Sequence, residues 1–129
     1  MPKYKFGKLV RDKIVEHQIK SGAKPTFHLL DDKSHKKELV LKIIEEAKEI
    51  IKSKPEDRAS EIADVQQALD DLKQKYKLTD KDIAEAQKIK LDKNGAFKKG
   101  IFVDYVELDE KDKWADYFRK NADRHTEIK

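Results

Sequence analysis

Acidic side chains border two consecutive amphipathic stretches of this sequence, and their types and spacing suit cation binding. Glu45, Glu46 and Glu49 lie within LVLKIIEEAKEIIK, and Glu61 and Asp64 lie within SEIADVQQALDDL. Carboxylates that meet beside an apolar core repel one another unless a cation neutralises them. Because magnesium and manganese prefer oxygen ligands, the pattern points to a divalent metal site open to a phosphate-bearing ligand.

The first acidic group lies at the margin of a strongly predicted helix. At about 100° per residue, Glu46 falls at the edge of the apolar stripe rather than on the solvated face. Glu49 lies one step further round, and Glu45 lies further still towards solvent. The row that contains Glu46 also holds Leu39, Ile43 and Ile50.

The second acidic group follows the flank of the next predicted helix. Its apolar centre is expected near Ile62, Leu69 and Tyr76, with Glu61 at the border and Asp64 on the adjoining flank. A short connection favours an antiparallel helical hairpin, which would let the two acidic groups meet across the groove. The alternative is a solvated acidic face, since the chain has 26 acidic residues.

The periodicity of apolar residues and the positions of turn residues predict the secondary-structure elements before this hairpin and within it. The apolar spacing predicts a first helix over about 9–20, ended by Gly22. KPTFHLLDD is expected to form an extended connector or an edge strand. Ser34 is the predicted cap of the second helix, and Pro55 separates this helix from the third.

The remaining elements are predicted in the same way. The third helix should end near Lys77, and the capping-box variant Thr79-x-x-Asp82 should begin a fourth that ends at KNG. GIFVDYVEL reads as a strand or extended segment and EKDKWADYFRKNA as a C-terminal helix. The predicted fold is mainly all-α, with a four-helix-bundle-like core, a short extended segment and a C-terminal helix.

Composition limits the size, the partners and the compartment. A chain of 129 residues is enough for one domain. With 37% hydrophobic and 43% charged residues, we expect a second subunit to complete the core, most simply in a homodimer. No segment resembles a signal peptide or a membrane span, and the chain has no cysteine, so a cytoplasmic protein without a membrane partner is expected.

Other chemistries lack their characteristic residues. The absence of cysteine excludes thiolate zinc sites and cysteine nucleophiles. The histidines form no metal-binding pair on a helix, and no glycine-rich phosphate loop is present. A nucleic-acid partner is not expected, because the 30 basic residues are interleaved with acidic ones. The histidines are His17, His28, His35 and His125.

The acidic motifs resemble a known signature. EEAKE at 45–49 followed by EIAD at 61–64 is similar to the signature of the MazG-like all-α nucleoside triphosphate pyrophosphohydrolases, a superfamily that includes phosphoribosyl-ATP pyrophosphohydrolases and dimeric dUTPases. KLVRDKI at 8–14 resembles the N-terminal segment of a predicted house-cleaning subgroup. KLDKNGAF at 90–97 resembles its Lys-x-x-x-Arg-Gly-Gly-Phe segment, although Asn94 stands at the arginine position.

The resemblance implies a single MazG-like helical domain over 1–129, with its core at about 8–103 and a C-terminal extension over 104–129. It implies hydrolysis between the α and β phosphates, giving a nucleoside monophosphate and pyrophosphate. Mg²⁺, or Mn²⁺ as a substitute, is the implied cofactor, and Glu45 would act beside Glu46 on a water molecule. The implied metal ligands are Glu46, Glu49, Glu61 and Asp64.

Basic residues should then face the carboxylates across the nucleotide. Arg11 and Lys90 are the favoured phosphate contacts, and Phe97 is a candidate for stacking on a base. Lys8, Lys13, Lys93 and Asn94 complete the expected substrate-binding set.

Substrate identity stays open at this point. Canonical and aberrant nucleoside triphosphates and phosphoribosyl-ATP are all compatible with the pattern, although the N-terminal segment favours nucleotide-pool house-cleaning. The main alternative is a non-catalytic helical module that dimerises through its apolar faces.

Overall fold

A computed structural model describes residues 1–128 of the chain. The described residues form five α-helices and no strand, which confirms the mainly all-α prediction. The helices are α1 (Ile14–Lys20), α2 (Asp32–Lys52), α3 (Arg58–Lys75), α4 (Asp80–Asn94) and α5 (Lys113–Lys120), and a 3₁₀ turn at Pro55–Asp57 precedes α3.

The chain divides into two compact units, Met1–Lys90 and Leu91–Lys129, and the boundary falls within α4. α2 and α3 form the one extensively packed helix pair among residues 1–128. The four-helix-bundle-like core and the single domain over 1–129 therefore stay predictions.

α2 begins with an aspartate cap. The carboxylate of Asp31 accepts a hydrogen bond from the backbone N–H of Ser34 at 2.7 Å. The prediction that Ser34 caps this helix is therefore wrong: Ser34 lies in the first turn, and its amide is the group that needs an acceptor. A negatively charged cap also interacts favourably with the helix dipole.

α2 and α3 run antiparallel, as predicted. At one end of the pair, the Asp32 carboxylate at the start of α2 lies 2.7 Å from the Lys75 ammonium at the end of α3. Towards the other end, Glu46 of α2 approaches Glu61 and Asp64 of α3. The chain reverses direction through the 3₁₀ turn that begins at Pro55.

The face of α3 that packs on α2 differs from the predicted one. Ala68 is 6% exposed and is the buried residue of α3, whereas Ile62 and Tyr76 are 53% and 52% exposed. The flank that contains Asp64 and Ala68 therefore faces α2, and the predicted apolar centre remains uncovered. A helix can bury only part of a wide apolar stripe against a single neighbour.

Exposed apolar side chains are common in the first unit. Leu39 and Ala68 are its buried apolar residues within the described chain, while Val40 and Ile44 of α2 are 41% and 47% exposed. None of the helices over residues 1–128 combines the length and the apolar character needed to cross a bilayer.

α1 is shorter than predicted and begins at Ile14 rather than near residue 9. No side chain caps its N-terminus, where Lys13 occupies the cap position. Residues 8–11 remain outside the helix, and the side chains of Lys8 and Arg11 reach carboxylates of α2 and α3. The predicted stop is confirmed: the helix ends at Lys20, and Gly22 has a φ of 92° that favours glycine.

The start of α4 matches the sequence signal. Thr79 donates its backbone N–H to the Asp82 carboxylate at 2.8 Å, and Asp82 donates its own to the Thr79 hydroxyl at 3.1 Å. This reciprocal pair is the predicted capping box. α4 ends at Asn94, before Gly95 with a φ of 80°. α3 ends at Lys75, two residues before the predicted Lys77.

Neither possible strand forms within the described chain. Residues 24–31 of KPTFHLLDD belong to no helix or strand and Asp32 begins α2, while GIFVDYVEL has no strand partner to complete its backbone hydrogen bonds. In the second unit, Asp112 caps α5 by accepting from the Trp114 N–H at 2.9 Å. The rings of Trp114 and Tyr117 meet edge to face with centroids 5.6 Å apart.

The ion pairs of Asp32, with Lys36 in α2 and with Lys75 in α3, predict how stability depends on pH. Hydrogen bonds from Lys36 and Lys75 lower the pKa of Asp32 to about 2. The pKa of Asp32 is lower in the folded protein than in the unfolded chain, where it is near 3.8. Its ionised carboxylate therefore stabilises the fold at pH values above 3.8, and this stabilisation is lost as the pH falls through about 2. Asp32→Asn should therefore lower the melting temperature slightly at pH 7 and have no effect near pH 2.

Glu38→Gln is the matched control for this measurement, because it removes a carboxylate from α2 at a position without an ion pair among the described residues. A melting temperature that falls equally in both variants, at every pH, would contradict a specific role for the bridge.

Candidate metal centre

Three carboxylates converge in the seam between α2 and α3. Glu46 of α2 and Glu61 and Asp64 of α3 each offer one oxygen, and these oxygens all lie within 4.8 Å of one another. Residues three apart on a helix share a face, so Glu61 and Asp64 point together towards α2. All three side chains are partly buried, with Glu46 only 15% exposed.

The donor set fits a hard divalent cation. Mg²⁺ binds oxygen at about 2.1 Å, so two oxygens on one ion are at most about 4.2 Å apart. The separations of up to 4.8 Å here would need only small side-chain shifts. Three carboxylates would supply part of an octahedral shell and leave positions for water or phosphate.

Mutual repulsion is evident at Glu61. Burial raises its pKa above the usual value near 4.5, and the charges of Asp64, Glu46 and Glu49 raise it further. A carboxyl group with a raised pKa stabilises the fold while it is protonated, and this stabilisation is lost as the pH rises through the raised value. At neutral pH the ionised Glu61 carboxylate therefore opposes folding slightly.

Cations from the N-terminal segment contact the same cluster. The Lys8 ammonium lies 2.7 Å from Oε1 of Glu45, and Nη2 of Arg11 lies 2.6 Å from Oδ1 of Asp64. The hydrogen bond from Lys8 lowers the pKa of Glu45, and the same bond raises the pKa of Lys8. Both pairs are partly open to solvent, so each contributes only modestly to stability.

Sequence reasoning missed Lys42. Its ammonium lies 3.5 Å from both Glu45 and Glu46, and its side chain is only 23% exposed. The signal was available, because a lysine three and four residues before two glutamates lies on their side of the helix.

The structure thus brings together most of the predicted catalytic and metal-binding residues. The acidic members are Glu45, Glu46, Glu61 and Asp64, joined by the predicted substrate contacts Lys8 and Arg11. Glu49 is exposed and lies outside the group of three, although its charge acts on Glu61. Its role as a metal ligand stays a prediction.

Other predicted substrate contacts are not joined to this cluster. Lys13 and Lys90 are exposed and form no ion pair with its carboxylates within residues 1–128. Lys93, Asn94 and Phe97 belong to the second unit. There, Lys93 and Asn94 line an open cleft of about 370 Å³ with Lys113, Trp114 and Tyr117, and Phe97 is fully exposed.

A scan against protein-family models, a search of curated proteins and a search of solved structures each found no match for this chain. The functional reasoning below therefore uses the geometry and charge of the chain's own residues. Within the described chain, Glu46, Glu61 and Asp64 are the carboxylates that lie close enough together to hold a metal ion.

Removal of one carboxylate should show how much repulsion within the cluster lowers the melting temperature and how much bound metal raises it. In chelator at pH 7, Glu61→Gln should raise the melting temperature, because it removes the charge that burial and four neighbouring carboxylates disfavour. The gain should shrink as the pH approaches the usual carboxyl pKa near 4.5. Added Mn²⁺ should stabilise the native protein more than this variant.

Glu38→Gln, which removes a carboxylate elsewhere on α2, should show the native response to Mn²⁺. The metal interpretation is contradicted if chelator and Mn²⁺ give the native protein the same melting temperature.

Proposed function

We propose that this protein is a magnesium-dependent nucleoside triphosphate pyrophosphohydrolase. It would cleave between the α and β phosphates and release a nucleoside monophosphate and pyrophosphate. The observation that carries the proposal is the convergence of Glu46, Glu61 and Asp64 across one helix seam, their ligand oxygens within 4.8 Å of one another. The resemblance of EEAKE and EIAD to the MazG-like signature supports the same chemistry.

The acidic residues would have two roles, which are to bind the metal and to orient a water molecule. Glu46, Glu61 and Asp64 would hold the metal, with Glu49 available from the next position round α2. When bound, Mg²⁺ or Mn²⁺ would neutralise phosphate oxygens and make a water molecule more acidic. Glu45 adjoins Glu46 and pairs with Lys8 before substrate binds; with Lys8 turned to the phosphates, its carboxylate would be suited to accept a hydrogen bond from the attacking water and orient it.

The basic residues would act on the phosphates. Arg11 and Lys8 lie beside the carboxylates, where charge that develops on a cleaved phosphate could be stabilised. Lys13, Lys90, Lys93 and Asn94 are further candidate contacts from the sequence resemblance, with Phe97 for the base. We propose a homo-oligomer, most simply a dimer, that acts in the cytoplasm in nucleotide-pool house-cleaning.

One observation favours a second candidate function. Ile62 and Leu69 of α3 and Val40 and Ile44 of α2 are at least 39% exposed, and such faces commonly bind another protein surface. A non-catalytic helical dimerisation module would use these faces and need no metal. The two candidates differ in whether the carboxylates are required.

Pyrophosphate release distinguishes these candidates. The native protein should release pyrophosphate from at least one triphosphate in a panel of normal and modified nucleotides, with Mg²⁺ or Mn²⁺ but not with chelator. Glu46→Gln should lower kcat by about a hundredfold or more, because a preorganised charge at the reacting centre is lost. Release is measured by coupled detection of pyrophosphate.

Glu38→Gln is the control, since it removes a carboxylate of the same helix away from the cluster; it should retain native activity. No release from any triphosphate with either metal would overturn the enzyme proposal and favour the dimerisation module.

Self-association has its own test. Ile62→Lys places a charge on the exposed apolar face of α3, where the side chain is 53% exposed. If a second copy covers this face, the variant should shift from dimer to monomer in light scattering while its circular dichroism stays helical. Gln67→Lys adds the same charge to the same helix at an exposed polar position about 140° round from Ile62 and should remain dimeric. A monomeric native protein would contradict the dimer.

A further inference from the structure

Two basic residues of the N-terminal segment lie on opposite sides of the carboxylate seam. Lys8 pairs with Glu45 of α2 at 2.7 Å, and Arg11 pairs with Asp64 of α3 at 2.6 Å. Both precede α1, in a stretch that forms no helix or strand. One short segment therefore supplies a cation to each helix of the pair.

One of these cations occupies a possible metal ligand, and the other lies on the neighbouring Glu45. Arg11 hydrogen-bonds to Asp64, which belongs to the group of three carboxylates that could hold an ion. A guanidinium on this carboxylate takes part of its oxygen surface and places positive charge next to the ion's position. Lys8 donates a hydrogen bond to Glu45, the residue before Glu46.

Both cations are free enough to move. The side chains of Lys8 and Arg11 are 53% and 56% exposed, and ion pairs that are open to solvent are weak. A triphosphate carries more negative charge than one carboxylate, and a guanidinium can bind two of its oxygens at once. The phosphates are therefore the stronger partner once a nucleotide is present.

We propose that Lys8 and Arg11 are resident counter-ions of the carboxylate cluster and exchange partners during binding. Without metal they neutralise Glu45 and Asp64, and with metal and nucleotide they turn to the phosphates. This inference rests on the proposed function and deepens it, because it assigns two successive electrostatic partners to each residue.

If Arg11 exchanges partners, its loss should affect metal binding and nucleotide binding in opposite directions, which simpler roles do not predict. Neutralising Arg11 should strengthen metal binding when no nucleotide is present, since a competing cation is lost, and should weaken nucleotide binding. If Arg11 only tied the segment to α3, its loss would not strengthen metal binding. If it only bound phosphate, metal binding alone would not change.

The test measures Mn²⁺ binding to the full chain through the electron paramagnetic resonance signal of free Mn²⁺, at constant ionic strength. Arg11→Gln and Lys8→Gln should each bind Mn²⁺ about two- to fivefold more tightly than the native protein, as expected for the loss of a weak, exposed competitor. Arg11→Lys keeps the charge and should bind Mn²⁺ with native affinity.

Lys20→Gln is the matched control for net charge. It removes one positive charge from α1, where Lys20 pairs with Glu16 at 3.0 Å, and should leave Mn²⁺ affinity unchanged. A second measurement uses a triphosphate whose α and β phosphorus atoms are joined by a methylene group, which prevents cleavage. With Mn²⁺ present, Arg11→Gln should bind this analogue several-fold more weakly than the native protein.

The outcomes separate this inference from the function on which it rests. If the native protein binds Mn²⁺ but Arg11→Gln binds it equally or more weakly, partner exchange is overturned and the metal site stands. Unchanged affinity of Arg11→Gln for the analogue would also overturn it. If neither the native protein nor any variant binds Mn²⁺, both the inference and the pyrophosphohydrolase proposal fail.

Discussion

Repulsion among carboxylates in one helix seam is the constraint to which much of the first unit responds. Glu46, Glu61 and Asp64 are partly buried and close together, where like charges interact more strongly than in open water. Positive groups surround them: Lys42 comes from the same helix as Glu46, and Arg11 comes from the N-terminal segment. Glu61 remains the poorly compensated member, which its raised pKa reflects.

The same seam explains why the core of the first unit is small. α3 turns the flank that bears Asp64 and Ala68 towards α2, so its larger apolar residues, Ile62 and Leu69, are left uncovered. Packing that served stability alone would bury those larger side chains first. A helix face used for carboxylates is unavailable for apolar burial, and functional sites often carry such a cost in stability.

Local chemistry made part of this fold predictable. The Thr79 and Asp82 capping box depends on residues three apart and formed as expected. The placement of Glu46 also followed from periodicity, because a helical wheel gives each residue's direction. Where two residues have similar propensities, as Asp31 and Ser34 do for a cap, the sequence alone did not identify which one precedes the helix.

Features set by tertiary contacts were harder to predict. A helical wheel gives the direction of each side chain but not the helix that packs against it. It therefore did not identify the flank of α3 that meets α2. The contacts of Lys8 and Arg11 join residues more than 30 positions apart in the chain. Lys42 is different, because its position three and four residues before Glu45 and Glu46 makes its contacts predictable from local spacing.

Ala68 affects how closely the carboxylates of α2 and α3 can approach. It lies four residues after Asp64, on the same face, and is 6% exposed. A methyl side chain lets two helix axes approach closely, and a larger side chain at this position would push the facing carboxylates apart. Calcium needs longer oxygen distances and more ligands than magnesium. If the seam holds a metal, as we propose, discrimination by ionic radius would therefore depend on an apolar residue outside the set of ligands.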